Sequence, residues 1–357
     1  EKQAQENIIQ NLKRIIAKKD ENMKHIAKNF LINDSIPTEI NNNENRYDLY
    51  LAIIEENVKK IDLLINHKFV TYKNVLYLIN EKEKTAGVYN FDCSIKSLII
   101  PIYIEYNQQK YRVTTILENS IKNNGNTSLV SCKNIEKIEK GAFIDSPTKI
   151  ILSSKVELED GWQKIGFYFE DILIDPNEIQ RIALYDNKFV IGKSDPKIDK
   201  YDVIHFVKNG FEKVTIPSFI KQIFPFAFFE CSTIHYVVIQ PNLDPILIRK
   251  NAFSHSKINY LSLPSNCELE DGWQKRVFAS TTIEIVSNGE QRITWYDDKL
   301  IIGKSDPKSD RYDVIHFAKK DIEKITIPSF IKRIASFAFS NCKNLQVVEF
   351  EDNSELE

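Results

Sequence analysis

The segment Tyr185–Cys231 reads YDNKFVIGKSDPKIDKYDVIHFVKNGFEKVTIPSFIKQIFPFAFFEC, and Tyr296–Cys342 reads YDDKLIIGKSDPKSDRYDVIHFAKKDIEKITIPSFIKRIASFAFSNC. The two align without a gap at an offset of 111, and about two-thirds of the positions are identical. A second pair keeps the same period: VELEDGWQK starts at Val156 and CELEDGWQK at Cys267. Just before them, KGAFIDS and KNAFSHS align with an offset of 110, so one residue was gained or lost between the copies. Self-similarity on this scale is the mark of a repeat array. The super-repeat covers most of the chain after about residue 130.

A shorter unit is nested inside the long period. It runs from an apolar alternation through Pro-Ser and an amphipathic turn to Ala-Phe, then Cys or Ser, as in VTIPSFIKQIFPFAFFEC and ITIPSFIKRIASFAFSNC. Alternation puts Val214 and Ile216, or Ile325 and Ile327, on one face of a short strand. Pro217 and Pro328 end the strand, because proline cannot donate to a ladder. Ile220, Ile223, Phe226 and Phe228 are expected to supply the back of the unit. After the cysteine, Ile234, Val237 and Ile239 match Leu345, Val348 and Phe350 in the L-x-x-L-x-L strand signature of a leucine-rich repeat. One unit cannot bury its own apolar face, whereas stacked units share a continuous core. Between the units, alternating Val, Ile, Phe and Tyr around DN and SDP turns predict hairpin insertions, and NVLYLINEKEKTAGVY near residue 74 reads as a divergent version of the same hairpin.

These units resemble the BspA-like leucine-rich repeats of bacterial surface proteins and of parabasalid and amoeboid protists. The carriers are the IPSFIKxIxxxAFxxC units. IIGKSDPKSDRYDVIHFA, IEKITIPSFIKRI and ELEDGW are especially similar to the trichomonad group of BspA-like surface antigens. The likeness spans residues 74–357, with one departure: the unit around SCKNIEKIEKGAF passes from Ile138 to Ala142 and Phe143 without the Ile-Pro-Ser strand. The resemblance implies a parallel-stranded solenoid with a concave face, adhesion to host cells, matrix or other microbes, and a place at the cell surface. It supplies no catalytic residues.

The expected fold is therefore a leucine-rich-repeat solenoid, mostly β, of short strands with turns and short helical segments. A small α-helical region precedes it. Residues 1–73 form that region. Ile8, Ile9, Leu12, Ile15 and Ile16 share a helical stripe, INDSIPTEINNNENR is a polar linker, and YDLYLAIIEENVKKIDLLIN is a second helix. The pair is either ankyrin-like or a cap over the end of the array. Residues 74–357 form the array. The chain starts at Glu1 without a signal-peptide core, and EDNSELE has no cap character, so it reads as an excerpt truncated at the C-terminus.

Apolar residues make up 42% of the 357, enough for a substantial core, and the net charge is −2. That balance gives no reason to expect nucleic acid as the partner. No stretch is apolar for long enough to cross a bilayer. Cys132, Cys231 and Cys342 read as one recurring small buried hydrophobe rather than as disulfide or metal ligands.

Other motifs have ordinary structural readings. GKS at Gly192 and Gly303 lacks the earlier glycine of a phosphate loop, since Asn187 and Asp298 stand there, and Asp-Pro follows. His205 and His316 recur without a recurring nucleophile, which speaks against catalysis. No close metal-ligand spacing is present, and no cofactor is expected. Trp162 and Trp273 follow an Asp-Gly turn as packed aromatics, the alternative being exposed anchors for a partner. Sequons occur at Asn33 and Asn126.

A non-catalytic, protein-binding surface solenoid is the leading reading. An intracellular scaffold, or the binding region of a larger enzyme, are the alternatives. If the strands line a concave face, their outward positions contact the partner: Ile151, Thr215, Tyr236, Val238, Tyr260, Ser262, Thr326 and Val347.

Overall fold

The computed structural model describes residues 68–91, 95–122, 127–144, 149–163, 171–274 and 281–357. The helices expected before Lys68 lie outside these. A meander begins with β1 (Lys68–Tyr72), β2 (Val75–Asn80) and β3 (Thr85–Phe91). Next come β4 (Ser97–Ile99), the hairpin β5 (Tyr103–Tyr106) and β6 (Gln109–Ile116), and β7 (Ile121–Lys122). Regular turns supply β8 (Leu129–Cys132), β9 (Lys137–Ile138), β10 (Phe143–Ile144), β11 (Lys149–Ser153) and β12 (Glu157–Leu158). Then β13 (Asp171–Asp175) leads into a second meander, β14 (Ile182–Tyr185), β15 (Phe189–Gly192) and β16 (Val203–Val207). Three more turns give β17 (Lys213–Ile216), β18 (Gln222–Ile223), β19 (Tyr236–Ile239), β20 (Leu247–Ile248), β21 (Tyr260–Pro264) and β22 (Glu268–Leu269). Finally β23 (Thr282–Val286) enters a third meander, β24 (Ile293–Tyr296), β25 (Leu300–Gly303) and β26 (Val314–Ala318), followed by β27 (Lys324–Ile327), β28 (Arg333–Ile334) and β29 (Val347–Phe350).

Each turn contributes one longer strand to a front sheet and a two-residue strand to the back. The front strands are all parallel and fall into three sheets, β4-β8-β11-β13, β17-β19-β21-β23 and β27-β29. The breaks between them come where the second and third meanders enter. The back strands run β16-β18-β20-β22 in parallel, continuous with the antiparallel β14-β15-β16. The short helical segments expected in the units are not formed: among the described residues there is no helix. The amphipathic stretch SFIKQI instead turns at Pro217–Ile220 and pairs only Gln222 and Ile223. Successive front strands open at Lys213, Tyr236 and Tyr260. A unit that short, with a front strand, a back strand and the corners between them, has no length left for a helix on the return path.

Interior rows follow the alternation. Val214, Val237, Leu261 and Ile283 share one row, and Ile216, Ile239, Leu263 and Ile285 the next. All but Ile285 are buried, and Ile285 packs against that core. Burying each such side chain stabilises the stack by about 2 kcal/mol. Ile220, Ile223 and Phe228 close the back as expected, whereas Phe226 is only half-buried.

Two local devices recur. The hairpins turn through paired left-handed residues, Lys73–Asn74, Asp186–Asn187 and Asp297–Asp298, the geometry that matches strand twist. All three meanders also carry a bulge at the same place, Leu76/Tyr77, Val190/Ile191 and Ile301/Ile302. The stretch near residue 74 is thus the same hairpin, and it includes β1, which starts before residue 74.

The second device is the corner before each Ala-Phe. Gly141, Phe226, Asn251 and Phe337 all have φ near +60°, as do Gly161 and Gly272 before the tryptophans at somewhat larger values. For phenylalanine this conformation costs about 1–2 kcal/mol. Packing offsets it: the Phe226 ring lies on Gly161, and the Phe337 ring on Gly272.

Cys132 and Cys231 are fully buried, Cys342 is half-buried, and the four described cysteines are free, as a small hydrophobe requires. Burial drives the thiols of Cys132 and Cys231 well above their ordinary pKa. Their positions differ from the expected equivalence, however. Cys132 ends front strand β8 opposite Leu152, whereas Cys231 and Cys342 precede front strands.

Candidate binding face

The outward-pointing positions of the front strands form two ladders per sheet. In the central sheet these are Lys213–Tyr236–Tyr260–Thr282 and Thr215–Val238–Ser262–Glu284. In the first sheet Ile99–Ser131–Ile151–Leu173 makes one ladder, and in the third Lys324–Val347 and Thr326–Glu349 pair. All eight residues singled out from sequence thus sit on front strands and point away from the core. Tyr236, Val347, Thr215 and Thr326 are exposed, and Ile151, Val238 and Tyr260 are half-buried. Ser262 is only 4% exposed, so it offers little surface.

Sequence reasoning missed Ile99 and Leu173, which are 69% and 39% exposed on the same ladder as Ile151. The alternation of KSLII and DILID would have found them. Tyr236 and Tyr260 lie side by side, their rings tilted by 40° with centroids 6.3 Å apart, and the Tyr260 hydroxyl hydrogen-bonds Glu284, which raises its pKa.

The front face is interrupted at two joints. At the first, Lys208 reaches inward to Asp171 at 3.5 Å and Asn187 at 3.2 Å. At the second, Thr282, Asp298 and Lys319 stand in the equivalent places. Lys319 turns to Asp298 at 2.6 Å, and a cavity of about 620 Å³ opens between Thr282, Ile283, Trp295, Lys320 and Asn344.

The repeated motifs turn out to serve the framework. Gly192 lies beneath His205: a Cβ there would overlap its Nε2, and at Gly303 the clash with His316 would be at 2.6 Å. The glycine of GKS is therefore the partner of the recurring histidine across the β15–β16 and β25–β26 pairs. The serine closes the loop. Ser194 donates its N–H and Oγ to Asp202 at 2.8 and 2.6 Å, and Ser305 repeats both bonds to Asp313. Burial lowers the pKa of His205 and His316 to about 4, so both are neutral.

Trp162 and Trp273 are buried edge-on to Phe143 and Phe253 at 5.7 and 6.0 Å, which excludes them as exposed anchors. The glutamine that follows fastens one super-repeat to the next. Gln163 Nε2 donates to Phe226 O at 3.1 Å, and Gln274 Nε2 donates to His316 O at 2.9 Å and Phe337 O at 3.3 Å. Among the described residues no group of three His, Cys, Asp or Glu is placed to hold a metal ion, and no helix is long and apolar enough to cross a membrane.

The family model of the BspA type leucine rich repeat region matches residues 191–287 and 314–356, in six copies. These residues are BspA-type leucine-rich repeats. The gap in the match, 288–313, holds β24 and β25, so that hairpin stands between BspA-type units while β26 belongs to the matched repeat. A leucine rich cell surface protein from Faecalibacterium prausnitzii is similar to the chain at 17% identity, over 80% of this chain and 76% of that one, with a TM-score of 0.43. The pneumococcal vaccine antigen PcpA is similar at 15% identity over 81% of this chain and 65% of its own, with a TM-score of 0.38. A leucine-rich repeat protein from Bacteroides ovatus is similar at 16% identity, 80% and 77% coverage and a TM-score of 0.35. No curated protein matches the sequence.

Proposed function

We propose that this chain is a non-catalytic protein-binding solenoid that works in adhesion at the cell surface, with residues 74–357 as its binding array. The observation that carries this reading is the outward ladder of the central front sheet. Tyr236 and Tyr260 lie side by side along it, and Val238 and Thr215 flank them on the neighbouring row. Tyrosine brings large contact area at low conformational cost and is enriched where proteins meet. The recurring polar motifs are consumed in loop closure and in the seam, leaving no repeated nucleophile–base pair to do chemistry. The partner is a protein of a host cell, the extracellular matrix or another surface.

Beads coated with the purified chain test the reading on cultured epithelial cells and on laminin- and collagen-coated plates. The expected result is attachment that falls about tenfold in the Tyr236→Ala/Tyr260→Ala double variant, given the weight of central aromatic residues in interfaces. Attachment indifferent to both tyrosines would sink the front face as the binding surface. An antibody to this region that labels only permeabilised cells would sink the surface location.

A further inference from the structure

Both joints end a front sheet on a strand edge, and the second differs in the side chains that stand beside that edge. Among the described residues, strand β23 pairs with β21 and with no other strand. In a parallel ladder, alternate residues turn their backbone groups to opposite sides. Thr282 N–H reaches back to Asn259 O at 2.8 Å, so Ile283 and Ile285 turn their N–H and C=O toward the joint, where no strand of the described residues meets them. On the far side, β27 pairs only with β29 among the described residues. The cavity of about 620 Å³ opens at the head of both strands, lined by Thr281–Ile283 before the gap and Lys319–Asp321 after it.

Lys320 in its wall is a cation without an anion. Its Nζ donates to Ser340 O at 2.5 Å and lies 4.3 Å from the centre of the Phe317 ring. Among the described residues no carboxylate comes within ion-pair distance of it. Asp321 also lines the cavity but makes no such pair, and Asp298 is held by Lys319. Burial lowers the Lys320 pKa to about 8, the signature of an ammonium short of solvation. Trp295 lies in the same wall, half-buried. The first joint shares the open edge, since β13 pairs only with β11 among the described residues, but not these side chains: Asn209 stands where Lys320 is, Leu184 where Trp295 is, and Asp171 already satisfies Lys208.

We propose that the second joint is a docking cleft for an extended acidic peptide, which pairs with the free edge of β23 and delivers an Asp or Glu carboxylate to Lys320. A strand added to an open edge takes its affinity from main-chain hydrogen bonds and its specificity from side-chain contacts. Here those contacts are a charge-assisted hydrogen bond to the ammonium and packing on Trp295. The Thr282 end of the Tyr236–Tyr260 ladder runs into this cleft, so the proposal names the class of segment that the front-face reading leaves open, and it rests on that reading.

The test selects random short peptides displayed on phage against the immobilised full chain, then synthesises the enriched sequences. Supporting results are an Asp or Glu shared by the binders, a loss of about tenfold or more in Lys320→Gln, retention in Lys320→Arg, and abolition by N-methylation of alternate peptide amides. Hydrogen exchange should show new protection at the amides of Ile283 and Ile285. No enriched binder, binders without an acid, or affinity unchanged in Lys320→Gln would each overturn the cleft. Binding lost in Tyr236→Ala/Tyr260→Ala but intact in Lys320→Gln overturns the cleft while leaving the front face standing. Peptide binding that follows Lys320, with cell attachment indifferent to the tyrosines, fails the front-face reading alone.

Discussion

The two joints stand one super-repeat apart, are built from the same meander, and are finished in opposite ways. At the first, Lys208 is folded inward with a side chain 9% exposed, and its ammonium bridges Asp171 and Asn187. At the second, Asp171 has become Thr282, and the equivalent Lys319 swings out to Asp298 with its side chain 36% exposed. The loss of one acidic side chain, Asp171, accompanies the change of the Lys208/Lys319 ammonium from an inward to an outward partner. Side chains beside the joint also change, Leu184 to Trp295 and Asn209 to Lys320, while the motifs that hold the meander stay the same. Gly–His, Ser–Asp and Trp–Gln contacts repeat in both copies because they hold the meander to its neighbours. The framework and the variable surface are separated within one motif, residue by residue.

That separation can be broken at the framework first. Trp273→Ala and Trp162→Ala remove fully buried rings at the seams, and each is expected to cost about 3–5 kcal/mol, read by urea denaturation. If either variant loses less than about 1 kcal/mol, well below that range, the seam does not hold the copies together. Acid should act next. His205 and His316 titrate near 4 in the fold against an ordinary 6.5. Each folded pKa is depressed, so its contribution is complete above pH 6.5 and is lost as pH falls from there toward 4, by about 3 kcal/mol per histidine. Melting temperatures across pH 7 to 4 should fall less steeply in His316→Phe than in the parent. An unchanged slope would mean that the histidine is not held neutral.

A smaller effect comes from crowding. Gly192→Ala forces a methyl into His205, and overpacking of this kind costs about 2 kcal/mol. Gly303→Ala, where the contact is looser, should cost less, and His205→Ala should rescue Gly192→Ala in a double-mutant cycle. The smallest difference concerns the joints themselves. Lys208→Ala is expected to lose about 1–2 kcal/mol because it removes a buried aliphatic stem together with the charge-assisted bonds to Asp171 and Asn187. Lys319→Ala removes an exposed pair and should fall within about 0.5 kcal/mol of the parent. Equal costs would erase the distinction between the joints.

Much of the array was legible beforehand. The rows through Val214, Val237 and Leu261 follow from alternation, the hairpin turns from Asp-Asn and Asp-Asp, and the buried cysteines from their apolar setting. The eight outward residues reached the front strands for the same reason. The helical segments did not form, because so short an amphipathic pattern as SFIKQI fits a turn with a two-residue strand as well as it fits a helix. Cys132 was misaligned because the unit holding it replaces Ile-Pro-Ser with Leu-Val-Ser-Cys. Ser262 was taken as exposed because alternation gives direction but not cover.

The period of 111, the in-and-out order of every front strand and the tight hairpin turns belong to the sequence alone, since each rests on neighbours within one unit. The break in the front face, the glycine under His205, the phenylalanine corners at Phe226 and Phe337, and the Gln163 bond to Phe226, 63 residues away, were decided only by stacking. Local periodicity dictates which face of a strand is apolar. It cannot say which side chain of the next super-repeat arrives above it, and at the second joint that arrival left Lys320 beside an open strand edge.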